Sequence, residues 1–253
     1  MLRNVFWDLK EWYKEIELRS SMLNSFLNPS PFEFTNTNSK AECMAIWDSV
    51  HHIMQNTMLV WIESWLFLAK ECRHILQCMS PHERKEMKFI IDNLEEYANI
   101  AERFTRENWM IDAMETKYQT MIECSWYLVN FSGTMDAVIF NKEEPVIIDI
   151  KTSLSKRDQY KADWQRQKYY YAYLYNAVRK QKLPIKFIYL VVTKQKKVQV
   201  QQFEYIISFE DAERITKADM RTYLTHITDK DTSLQTIDVD EKEIWHEYID
   251  TSV

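Results

Sequence analysis

Residues 128–152 read LVNFSGTMDAVIFNKEEPVIIDIKT: two apolar runs joined by a polar, proline-ended turn. The first run, 128–140, reads as a strand that bends at Gly133, the single glycine in 253 residues. A missing Cβ there permits unusual dihedrals or a close approach of backbone to its neighbours. The stretch 141–145 is a turn by composition. Residues 145–152 form a short apolar strand of the kind buried inside a sheet. A hairpin closed by this turn brings Asp136 beside Asp149, close enough to share a cation. Asp149 and Lys151, two residues apart, point to one face of their strand.

Fourteen residues beyond Lys151 comes Gln165-Arg166-Gln167-Lys168-Tyr169, at the head of a predicted helix rich in tyrosine. Gln165 and Tyr169 are four apart, and Gln167 and Tyr171 satisfy the same spacing. At 100° per residue, Gln167, Tyr170, Tyr171, Leu174 and Val178 gather on one side, the expected core face. Lys161, Gln165, Lys168, Ala172 and Arg179 gather on the other, which favours Gln165 as the outward, site-facing glutamine. An Asp-x-Lys tripeptide or a Gln/Tyr pair alone carries little information; order, spacing and strand–helix context together do. Two carboxylates and a lysine on adjacent strands suit phosphodiester hydrolysis. Hard divalent cations held by carboxylates neutralise developing phosphate charge and generate hydroxide near neutral pH. A neighbouring lysine positions or deprotonates water and offsets transition-state charge.

The order Gly133-x-x-Asp136, Asp149-x-Lys151, Gln165-x-x-x-Tyr169 resembles the RecB-like branch of the PD-(D/E)XK nuclease superfamily. That branch includes the RecB nuclease domain, CRISPR adaptation nucleases and the mitochondrial genome maintenance exonuclease. The match covers roughly residues 123–194. The resemblance implies an α/β (α+β) fold: a restriction-endonuclease-like mixed sheet core flanked by helices. It implies Mg²⁺ or Mn²⁺, one or two ions, held by Asp136, Asp149 and the Ile150 carbonyl. It also implies Lys151 as the catalytic lysine, with Gln165 and Tyr169 orienting that lysine or the substrate strand. The family places a metal-binding histidine on an upstream helix, and here Trp47-Asp48-Ser49-Val50-His51-His52-Ile53-Met54-Gln55 puts His51 in the ligand position. Trp47 and Gln55 replace the usual glycine and glutamate. Glu123, ten residues before Gly133, resembles an acidic residue of many relatives and is expected to support the site from outside the ligand set.

The chain is acidic overall, at net −6, but unevenly so. Residues 151–197 hold thirteen Lys or Arg against Asp158 and Asp163, a local +11, while the remainder carries 19 basic and 36 acidic groups, −17. A basic block overlapping the catalytic motifs is the footprint of a phosphate-binding groove, with Lys161, Lys168 and Arg179 as its expected contacts. The expected partner is nucleic acid, DNA with free ends.

Residues 1–118 read as a mainly helical N-terminal region carrying the His51 helix, with an amphipathic helix over 2–27, a long helical stretch over 39–79, and helices at 83–103 and 108–118. The nuclease core then spans 119–228, with strands at 185–193 and 198–205 and a helix at 209–226, before an acidic tail over 229–253. Cys43, Cys72, Cys78 and Cys124 lack CxxC spacing, and no cysteine follows Cys124. Free buried thiols, not an iron–sulfur cluster, are therefore expected. The apolar stretch 58–69 is interrupted by Glu63 and too short to span a membrane, and neither a signal peptide nor an acid-poor presequence is present. A cytoplasmic location (or the nucleus or cytoplasm of a host, for a viral protein) follows from this reading. The leading function is a metal-dependent DNA exonuclease of replication, recombination or end processing. The alternatives are an endonuclease, on DNA or on RNA as in viral cap-snatching, and a non-catalytic nucleic-acid-binding subunit.

Overall fold

A computed structural model describes residues 14–27, 54, 92–105, 109–141, 144–153, 156–193 and 197–232. The predicted hairpin is its centre. Strand β3 (Tyr127–Asn141) pairs antiparallel with β4 (Glu144–Ser153), from Asn141↔Glu144 to Ala137↔Ile148. Val146, Ile147, Ile148 and Ile150 are buried, as an interior strand requires.

Two elements expected as helix are strands. Residues 14–19 form β1 (Lys14–Arg19), parallel to β3 from Lys14↔Tyr127 to Arg19↔Ser132. Ile16 and Leu18 turn inward between charged neighbours, a period of two that overrides the helical reading of this stretch. Residues 109–124 form β2 (Trp109–Cys124), antiparallel to the whole of β3. Here Tyr118, Ile122 and Cys124 are buried while Lys117, Gln119, Met121 and Glu123 face solvent. The β2–β3 turn runs through Ser125, at φ 55, and Trp126.

Strand β5 (Ile185–Thr193) lies parallel to β4, placing Asp149 opposite Tyr189 and Lys151 opposite Val191. Strand β6 (Val200–Ile207) closes the sheet antiparallel to β5. The six strands form one mixed sheet in the order β1-β3-β4-β5-β6, with β2 also on β3. Since β2 occupies one edge of β3 along its length, β1 and β4 must share the other. β1 ends at Ser132 and β4 begins pairing at Ala137. Residues 133–136, Gly133 through Asp136, line the notch between them.

Helix α1 (Ser20–Leu27) follows β1 directly, and α2 (Leu94–Thr105) precedes β2. After β4 the chain forms a short α3 (Gln159–Trp164) and then α4 (Gln167–Arg179). The last helix, α5 (Phe209–Thr232), begins at Ser208, whose hydroxyl accepts the Asp211 N–H, and continues past the end expected for it. Helix α4 lies between the sheet and α5, so Tyr170, Tyr171, Ala172, Tyr173, Leu174, Tyr175 and Asn176 are all buried. Its aromatic side chains join Phe131, Phe187 and Tyr118 in the core. The expected division of this helix into core and solvent faces fails for a tertiary reason: α5 covers the second face.

Candidate active site

Asp136 and Asp149 meet where the β3–β4 ladder stops. The last ladder pair is Ala137↔Ile148, so the next step along the same register is Asp136 against Asp149. There the Asp136 side chain takes over from the backbone: its Oδ2 accepts the Ile150 N–H at 2.7 Å. Lys151 Nζ donates to Asp149 Oδ1 at 3.0 Å and lies 2.8 Å from Oδ2. Oδ2 itself accepts no directed hydrogen bond, although Asp149 is 1 % exposed. The hairpin thus delivers the Asp136, Asp149 and Lys151 cluster read from the sequence.

Burial dominates the electrostatics. Removal from water raises the Asp136 carboxyl to about 8, and the adjacent Asp149 adds to the effect; Lys151 and the Ile150 N–H oppose it. Asp149 is raised by burial too, opposed by Lys151 and by the charge of Arg157. Two buried acids side by side do not both ionise readily without a cation. The paired buried carboxylates are a donor set that a hard divalent ion can take. Among the described residues no third His, Cys, Asp or Glu completes a metal-binding group with them. His51 lies outside the described residues, as do Cys43, Cys72 and Cys78; Met54, three residues on from His51, is helical and fully buried.

Gly133 answers the close-approach reading. Its φ is not positive, so the backbone alone does not demand glycine. A Cβ there would stand 2.6 Å from Ser20 Oγ, 2.9 Å from Tyr171 Cε1 and 3.1 Å from Leu174 Cδ1. The space a side chain would take is filled by a serine from α1 and a tyrosine from α4. Tyr171 is buried, and the charges of Asp149 and Asp136 both act on it. Its hydroxyl oxygen accepts from Gln167 Nε2 at 2.7 Å, and the Ser20 hydroxyl is a second hydrogen-bond partner. Ser20 was not legible as a site residue: nothing in its sequence neighbourhood signals contact with a glycine more than a hundred positions away.

The glutamine–tyrosine pair beside the carboxylates is therefore Gln167 and Tyr171, not the expected Gln165 and Tyr169. The helix breaks between them. Gln165 adopts extended dihedrals, φ −64 and ψ 120, at the end of α3. Its side chain accepts a long 3.5 Å hydrogen bond from Asn24, while Tyr169 stands half-buried one turn into α4. Lys168 is not a surface phosphate contact either. It is 2 % exposed, and its ammonium donates to the carbonyls of Ala162 (3.2 Å), Asp163 (2.5 Å) and Gln165 (2.9 Å). It also lies 4.4 Å above the Tyr205 ring. Burial pulls its pKa down to about 8. Lys168 closes the end of α3, where carbonyls lack helical partners. Arg179 sits at the far end of α4, paired with Asp112 on β2. Lys161 lies on α3.

Glu123 faces solvent opposite Leu128, beside the β2–β3 turn. The β2 residue in register with Asp136 is Glu115, between the pairs Met114↔Ala137 and Thr116↔Met135. Eight strand residues separate the two glutamates, roughly 27 Å at strand rise. Glu123 is therefore too distant to support the carboxylates. Glu115, at φ 44, is near enough for its charge to act on Asp136.

A mixed sheet with two carboxylates and a lysine at the end of a central hairpin defines a nuclease class. The profile of the PD-(D/E)XK nuclease superfamily matches residues 50–250, and the chain belongs to that superfamily. Its fold is the restriction-endonuclease-like arrangement expected from the sequence. No curated protein matches the chain. A solved structure described as the crystal structure of SSO0001 aligns over 56 % of this chain and 68 % of that one, at 16 % identity and a TM-score of 0.34. The superfamily implies a nucleic-acid substrate, and its members generally use Mg²⁺ or Mn²⁺. Among the described residues no helix is long and apolar enough to cross a membrane.

Proposed function

We propose that the chain is a Mg²⁺- or Mn²⁺-dependent DNA exonuclease of the RecB-like branch, processing ends during replication, recombination or repair. The observation that carries this reading is the notch in β3. Asp136, Asp149 and Lys151 sit at its β4 side, and Tyr171, held by Gln167, sits against Gly133. A glutamine–tyrosine pair beside the carboxylates is the feature that resembles the RecB-like branch, and Gln167 with Tyr171 supplies it.

In this reading Asp136, Asp149 and the Ile150 carbonyl hold the metal, with His51 as a further ligand. A bound divalent ion supplies Lewis acidity and an activated water. The protein supplies the rest. Burial keeps the carboxylates out of water, so their interaction with a cation is little screened. Lys151, within 3.0 Å of Asp149, stands where it can pass from pairing the carboxylate to stabilising charge on a phosphate oxygen. The Tyr171 oxygen accepts from Gln167, which fixes the hydroxyl beside the notch.

The test is a cleavage time course on end-labelled linear and circular DNA, single- and double-stranded, with Mg²⁺ and with Mn²⁺. An exonuclease shortens linear substrates from an end and leaves circles intact. Cleavage of circles would make it an endonuclease, and no cleavage with either metal would refute the catalytic reading.

A further inference from the structure

Helix α3 displays its two largest side chains to solvent. Tyr160 is 66 % exposed and Trp164 58 % exposed. One helical turn apart, their rings touch, with centroids 5.5 Å apart at an interplanar angle of 50°. Large exposed aromatics on a loosely held segment would carry little meaning. This segment is held firmly. Lys168 ties three carbonyls at its end, and Asp163 Oδ1 accepts from Gln159 and from the Tyr205 hydroxyl, both at 2.8 Å. At its start the Arg157 N–H donates to Gln201 Oε1 at 2.6 Å, and Gln201 Nε2 returns a bond to the Arg157 carbonyl at 3.0 Å. The buried lysine, which looked in sequence like a phosphate contact, instead fixes the helix that presents these rings.

The segment also lies within electrostatic reach of the catalytic cluster. It is the next element after β4, with five residues between, and the Arg157 charge acts on the Asp149 carboxylate. Three residues separate Arg157 from Tyr160, at most about 11 Å of chain. Stacked nucleotides advance by about 3.4 Å each, so that span is roughly three of them. Exposed Lys156 and half-buried Arg157 and Arg166 bracket the pair in sequence, against exposed Asp158 and Asp163, and the segment is basic on balance. Rigid aromatic faces in a basic setting are the means by which proteins hold unpaired bases, because every base has a stacking face. In a duplex those faces are occupied by neighbouring pairs.

We propose that Tyr160 and Trp164 form a stacking platform for an unpaired base a few nucleotides from the scissile phosphate, so that the site takes single-stranded DNA. The proposal rests on the nuclease reading of the same site. It is tested by the binding of a labelled single-stranded oligodeoxynucleotide and of a blunt hairpin duplex, in Ca²⁺ to suppress cleavage. Wild-type protein, Tyr160→Ala, Trp164→Ala and Trp164→Phe are compared across a salt series. Each alanine variant should bind the single strand roughly 5- to 150-fold more weakly, the range expected for loss of one stacked base. The slope of log affinity against log salt should not change, because no phosphate contact is lost. Trp164→Phe should restore most of the affinity. An oligonucleotide with abasic sites should bind wild type as weakly as the intact one binds Trp164→Ala.

Single-strand binding by both alanine variants equal to wild type overturns the platform, as does an equal loss on duplex and single strand. Absence of binding by wild type to either DNA would bring down the nuclease reading as well, so the two failures are told apart. Both side chains are exposed, and thermal unfolding of the variants should match wild type.

Discussion

Replacing Asp136 by Asn should stabilise the metal-free protein at alkaline pH and leave it unchanged in acid. Burial and Asp149 lift the Asp136 carboxyl from 3.8 to about 8. Below the unfolded value both states are protonated and the group is neutral in its effect. Between the two values the unfolded chain releases its proton while the folded chain retains it, so stability falls as pH rises. At about 1.4 kcal/mol per pH unit, full passage costs on the order of 6 kcal/mol. Asp149 bears part of the same strain and remains in the variant, which leaves an expected gain of about 2–4 kcal/mol at pH 8, or roughly 4–16 °C in a domain of this size. The amide oxygen still accepts the Ile150 N–H, and the new amide group can donate to Asp149. The assay is thermal unfolding of chelator-treated wild type and Asp136→Asn at pH 4 and at pH 8. Saturating Mn²⁺ should then reverse the order, because only wild type retains both carboxylates for the ion. A variant that is destabilised at pH 8, or stabilised equally at both pH values, would refute the electrostatic reasoning.

Gly133→Ala should cost about 1–3 kcal/mol in urea unfolding, since its Cβ meets Ser20 Oγ at 2.6 Å, and adding Ser20→Ala should recover part of that loss. Tyr171→Phe leaves the Gln167 amide without its acceptor; a loss of about 1–3 kcal/mol together with slower cleavage is expected, and unchanged turnover would remove the hydroxyl from the site. Lys168→Met should lower the unfolding midpoint yet leave the salt dependence of DNA binding unaltered, whereas a shallower salt slope would return Lys168 to the phosphate groove.

The hairpin could be read because its information is local. Apolar runs, a polar turn and a two-residue spacing put Asp136, Asp149 and Lys151 together without any knowledge of the remaining chain. Gly133 was legible as a special position, but its reason, a serine and a tyrosine occupying the Cβ space, depends on β1 and α4 meeting there. Lys14–Arg19 was missed because six residues of alternation are easily absorbed into a longer amphipathic pattern. The break at Gln165 and Arg166 carries no glycine or proline, and helical spacing carried unbroken through it selected the wrong glutamine. Lys168 reads as solvent-facing in any linear view; its burial follows from open carbonyls at the end of α3 and from Tyr205 on β6. Finding Glu115 in place of the expected Glu123 takes the register of β2 on β3, which Ser125 and Trp126 set through their turn.

Calorimetric titration of Mn²⁺ into metal-free wild type, Asp149→Asn and Lys151→Ala tests most directly whether the notch is a metal centre. Wild type should bind at least one ion, Asp149→Asn should lose that binding, and Lys151→Ala should retain it while losing cleavage. Mn²⁺ binding by Asp149→Asn indistinguishable from wild type would contradict the assignment of this site.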